Sequence, residues 1–250
     1  MRDGTPRWQR NTVRSVNALL AFGAALISLR LSGDLVRRWR ARKRPELGAW
    51  AGGLAAYALA AGALAWGSAA GWTDVAFRVY YLGGALLTAA LLGAGSLLLV
   101  GRRWAAPLAL VYIGLAIGVA VAVPLQTSLS GTEIPEAQDM LDVWPARVLA
   151  ILGNSLGTLA VVVVALATFR SRPRGNALIL AGIAVAGIGS GLAGLGVGAL
   201  APAIAVAAIL LYAGFVAPSA LPMPHPDENG NHGKRDRRLD EQAGGAPVSQ

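Results

Sequence analysis

Of the 250 residues, 55% are hydrophobic and 14% are charged, and the mean hydropathy is +0.53. A soluble domain carries about 25% charged residues, so the composition excludes a disordered chain and points away from a soluble globule to an integral membrane protein. The net charge of +9 does not indicate nucleic acid, because the basic residues sit in short runs between apolar stretches, as in proteins that hold charge at a membrane surface.

A helix crosses the hydrocarbon core with about 20 apolar residues. Seven stretches meet that length, so the expected fold is all-α: a polytopic transmembrane bundle of seven spans. A polar tail, 1–12, precedes the first span at about 13–32. That span has a signal peptide as its rival, but SGD and then RRWRARKR follow it, a stop-transfer flank and not a small-residue cleavage site. The second span is expected at about 47–68, the third at 74–100, the fourth at 104–124 and the fifth at 144–169. The sixth and seventh, 176–193 and 199–218, share a run without a charged residue, and the Gly cluster at 191–198 is the natural turn between them. Pro202 then falls near the start of the seventh helix, where a missing N–H costs little. The tail 219–250, rich in proline and mixed charge, is expected to be disordered and cytoplasmic.

The arginines set the expected orientation. Arg37, Arg38, Arg40, Arg42, Lys43 and Arg44 follow span one; Arg102 and Arg103 follow span three; Arg170, Arg172 and Arg174 follow span five. Lys234, Arg235, Arg237 and Arg238 follow span seven. A seven-span chain puts these on one side, and the loop 125–143, with Glu133, Glu136, Asp139 and Asp142, on the other. The positive side faces the cytoplasm, so the N-terminus is expected outside and the C-terminus cytoplasmic, although this leaves Arg2, Arg7, Arg10 and Arg14 outside. Trp39, Trp50, Trp72, Trp104 and Trp144 fall near span ends and are expected to be interfacial anchors.

Chemistry-bearing residues are sparse. The chain has no cysteine, which excludes disulfides and thiolate chemistry, and its two histidines, His225 and His232, lie in the tail. No catalytic set, cofactor or metal site is therefore expected, although the four acidic loop residues resemble a cation site in type. The stretches 104–132, 148–169 and 175–226 contain no Asp, Glu, Lys or Arg, and 47–101 contains only Asp74 and Arg78. Proton-coupled carriers generally carry a titratable group at depth, and membrane hydrolases a nucleophile and base; neither is visible. A retinal pigment needs a lysine in the seventh helix, and this one has none.

Five residues are candidates for a polar pocket: Arg78, Asp74, Tyr81, Asn154 and Thr158. Asp74 and Arg78, four apart, share a helix face. Either Arg78 snorkels to the interface and pairs with Asp74, or with Tyr80 or Tyr81 it lines a pocket for an anion or carboxylate. Asn154, Ser155 and Thr158 form a polar patch in GNSLGT, readable as interhelical glue or as the lining of a solute path. Small residues four apart recur at Gly48/Gly52, Gly67/Gly71, Gly114/Gly118, Gly153/Gly157, Gly187/Gly191 and Gly194/Gly198, consistent with a compact bundle or a homo-oligomer.

The segment WTDVAFRVYYLGGALLTAALLGAGSLLLVGRRW, with Trp50 before it and an acidic loop and GNSLGT after it, resembles a group of uncharacterised multi-pass membrane proteins of bacteria. In these a similar aromatic segment surrounds an Arg-x-Tyr-Tyr core in the third span. The resemblance implies seven spans and a bacterial plasma membrane, and carries no activity or functional residue. The functional expectation is a non-enzymatic accessory, sensory or assembly subunit that acts through a membrane protein partner within the lipid bilayer. Its alternative is a carrier or channel for a small neutral or weakly polar solute, with Asn154, Thr158, Tyr112 and Arg78 converging on one cavity.

Overall fold

The computed structural model describes residues 7–127, 129, 131–194 and 200–216. The expected tail 219–250 and most of the expected Gly turn lie outside these. Helices α1 (Arg7–Arg42), α2 (Pro45–Ala70), α3 (Asp74–Leu99), α4 (Ala105–Ala122), α5 (Val143–Ala167), α6 (Pro173–Gly194) and α7 (Leu200–Val216) follow one another, with one short turn at Ala137–Met140. No strand occurs among the described residues. Among the described residues, five helices, α1 to α5, contain segments long and apolar enough to cross a membrane. The two that follow, α6 and α7, are apolar helices of 22 and 17 residues.

The first helix departs from the expected boundaries. It starts inside the expected polar tail and continues through the expected basic loop as 36 helical residues, about 54 Å at 1.5 Å per residue. Nothing in RRWRAR breaks a helix, so the chain stops turning only ahead of Pro45, which forces extended backbone on Arg44 (φ −85°, ψ 118°). Lys43 enters the left-handed region at φ 54° and its N–H donates to the Trp39 carbonyl at 2.7 Å, closing the helix end. Arg44 then pairs with Glu46 at 2.6 Å, in the first turn of α2 where an anion complements the helix dipole.

The helices pack in the spatial order α6, α7, α1, α2, α3, α5, with α4 against the outer side of α3. Although α5 and α6 are neighbours in sequence, they make few contacts. Near their connection, Asn176 Nδ2 donates to the Ala165 carbonyl at 3.1 Å and to Thr168 Oγ1 at 3.0 Å. The main core gathers Leu64, Phe77, Tyr81, Leu86 and Ala116 with Met140 and Leu141 of the loop. The loops 71–73 and 123–142 share one end of the bundle, where the Trp72 N–H donates to the Gly131 carbonyl at 3.0 Å.

The tryptophans divide. Trp39, Trp104 and Trp144 are exposed, as anchors would be, but Trp72 is buried. A Cβ on Gly67 would lie 2.5 Å from the Trp72 ring, and one on Gly95 would lie 2.4 Å from Trp50. These two indoles fill notches left by glycine inside the bundle.

Candidate functional site

The site is built on α3. Its segment Tyr81–Thr88 is a wide π-helical turn between two α-helical halves, a feature often found at functional positions. Gly83 lies so close to α2 that a Cβ would meet the Ala56 carbonyl at 2.4 Å. Carbonyls of the wide turn accept from three side chains. Thr88 Oγ1 donates to Gly83 at 2.7 Å, Asn154 Nδ2 to Ala85 at 3.1 Å, and Tyr112 Oη to Leu86 at 3.0 Å. Tyr112 also reaches the Leu149 carbonyl at 3.1 Å, and its ring fits only because Gly153 has no Cβ: one there would lie 1.9 Å from the hydroxyl.

Beside the wide turn lies a cavity of about 900 Å³, within the size range of small-molecule sites. It is walled by α2, α3, α5, α6 and α7 and reaches Pro135 and Ala137 of the long loop. It occupies the gap that α5 and α6 leave by diverging. Asn154, Ser155 and Thr158 enter it from one side of α5, and Tyr80, Tyr81 and Thr88 from α3. The remaining wall is mainly Leu, Val, Ile, Ala and Gly, with Tyr57 from α2; among the described residues no Asp, Glu, Lys, Arg or His lines it. Asn154 commits one N–H to Ala85 and keeps Oδ1 and a second N–H. The hydroxyls of Tyr80, Ser155 and Thr158 form no hydrogen bond among the described residues.

Of the five candidates, Tyr81, Asn154 and Thr158 come together at this cavity. Tyr81 is buried there, stacked on Phe77, with its hydroxyl donating to the Ala146 carbonyl at 3.2 Å. Arg78 and Asp74 are elsewhere. Arg78 crosses to the end of α4 and points Nη1 at the carbonyls of Ala120 (2.5 Å), Val121 (3.3 Å) and Val123 (3.0 Å). It forms no ion pair with Asp74 among the described residues; the negative end of α4 takes its charge instead. The void beside Arg78, between Phe77, Tyr81, Val119 and Leu141, measures about 10 Å³, room for one water and not for a carboxylate ligand. Asp74 is exposed in the first turn of α3, whose start Thr73 caps by accepting from the Ala76 N–H at 3.2 Å. Tyr112 is bound to the wide turn and does not line the cavity. Among the described residues no group of three or more His, Cys, Asp or Glu is placed to hold a metal ion.

Sequence reasoning missed the wide turn and the part played by Thr88 and Gly83. The Gly83–Gly84 pair was the available signal for Gly83. No family model matches the chain, and no curated protein and no solved structure matches it.

Proposed function

We propose that the chain is a seven-span protein of the bacterial plasma membrane, N-terminus outside and C-terminus cytoplasmic, and that it binds and carries a small neutral or weakly polar solute without catalytic chemistry. One observation carries this reading: Asn154, Ser155, Thr158 and Tyr80 meet in a cavity of about 900 Å³ with no charged residue among the described residues of its wall. Helix glue alone would bury such groups against each other. Here three hydroxyls are left without a protein partner among the described residues.

The test is native mass spectrometry of the protein extracted from its own membrane in mild detergent. A reproducible small-molecule mass is expected on the wild type. It should be lost in Asn154→Leu and in Ala186→Trp, which fills the cavity from α6. A bare chain in every preparation overturns the reading.

A second reading, an accessory, sensory or assembly subunit, draws on α4. That helix is the least enclosed of the five long ones, and Leu108, Leu110, Val111, Leu115 and Val121 are uncovered. A stoichiometric second polypeptide in the same spectrum would favour it.

Orientation rests on the arginine distribution and is checked by labelling. The chain has no cysteine, so single substitutions report cleanly. Glu133→Cys should react with an impermeant maleimide in intact cells, and Ser171→Cys only after permeabilisation. The reverse pattern inverts the topology.

A further inference from the structure

The cavity wall selects by charge, by polarity and by route of entry. With no carboxylate, ammonium, guanidinium or imidazole among the described residues of the wall, an ion would lose its hydration with no countercharge from them to replace it. The free polar capacity is local. It comes from Asn154, Ser155 and Thr158 on one side of α5 and from Tyr80 opposite, while α6 and α7 contribute Gly182, Ile183, Ala207 and Leu211. An occupant that satisfies such a wall has one uncharged hydrogen-bonding end and a long apolar body.

The route follows from exposure. Ser155, Leu159 and Gly187 line the cavity and are at the same time exposed on the helix bundle, Leu159 at 58%. Ser155 and Leu159 belong to the middle of α5, within a segment apolar enough to cross a membrane. The gap between α5 and α6 therefore opens sideways at the depth of hydrocarbon, where the molecules at hand are lipids.

We propose that the cavity takes a neutral amphiphile from the bilayer, a long-chain molecule with one uncharged hydroxyl or amide head, through the gap between α5 and α6, and that Asn154, Ser155 and Thr158 receive the head. This rests on the solute-binding reading above and adds the ligand class and its entrance. Asn154 offers an acceptor and an N–H, and each hydroxyl both donates and accepts. The head is thereby held without disturbing the Asn154 bond to the wide turn.

The experiment uses the full chain in phosphatidylcholine nanodiscs and a hexadecanol carrying a diazirine, with unlabelled hexadecanol, hexadecane, palmitate and hexadecylamine as competitors. Cross-links are expected on the cavity-lining parts of α3, α5 and α6, displaced by hexadecanol at concentrations about tenfold lower than by the alkane or either ion, as expected for one or two hydrogen bonds. Ser155→Ala with Thr158→Val should weaken labelling by a similar factor. Ser155→Thr, which keeps the hydroxyl, should retain it, and Ala186→Trp should abolish it.

Equal displacement by hexadecane or palmitate, with labelling still in the cavity, overturns the neutral-head assignment and leaves solute binding standing. Labelling spread evenly over lipid-facing α4 and α5, and untouched by Ala186→Trp, overturns both. A double variant that fails to fold leaves Ala186→Trp and the competitor series to decide.

Discussion

A guanidinium one turn inside an apolar helix needs acceptors, and Arg78 finds them on the last carbonyls of α4. Charge and helix end neutralise each other, which is why no ligand is needed there. Arg78→Leu should fray the last turn of α4 and destabilise the protein by about 1–3 kcal/mol, read by denaturation in detergent. Arg78→Lys should recover part of it, and solute binding per folded molecule should not change, since Arg78 lies outside the cavity wall. The glycines give a sharper contrast. A Cβ on Gly157 would lie 2.2 Å from the Ala89 carbonyl, whereas one on Gly114 meets nothing within 4 Å. Gly157→Ala should cost about 1–3 kcal/mol, and Gly114→Ala should be neutral or gain up to about 1 kcal/mol. Equal effects would show that these helices do not cross as described. The sequence marks Gly114/Gly118 and Gly153/Gly157 alike, because spacing shows which face is small and not what packs opposite it. For the same reason five tryptophans looked equivalent, and the two that fill glycine notches could not be told apart from the three that are exposed.

At the scale of the element, hydropathy located the cores of the helices but not their ends. α1 outran its apolar stretch because a helix continues through arginines until a proline stops it. The wide turn of α3 was illegible, since no residue type specifies it. It depends on acceptors being met from outside the helix, by Asn154 and Tyr112 on two other helices. Tyr112→Phe removes the one donor shared by Leu86 and Leu149. Its expected cost is about 1 kcal/mol, with faster amide exchange around 86–91 and none at the start of α3. An unchanged exchange pattern there would show that the turn holds itself.

Across the whole molecule, the uncharged interior was readable residue by residue, and so was the polar patch of α5. The cavity was not, because it exists only where α5 and α6 diverge, and no local pattern encodes a divergence. One consequence is testable with any solute the protein retains. With no carboxylate or imidazole among the described residues of the wall, binding should be flat between about pH 5 and 8, the window in which histidine changes charge. A step in that window, measured on the full chain in nanodiscs, would place a titrating group in the site.

The wide turn also works as an indexing spacer. Were Tyr81–Thr88 to tighten to ordinary helical pitch with its residue count unchanged, everything after it would rotate, since each α-helical residue turns the chain by about 100° and each residue of the wider turn by less. Gly93 would swing away from the Gly157 backbone, and Gly95 from the Trp50 ring, so bulkier neighbours would collide at both places. The phase of the second half of α3, and with it the breadth of the chamber on that side, is thus carried by the width of one turn.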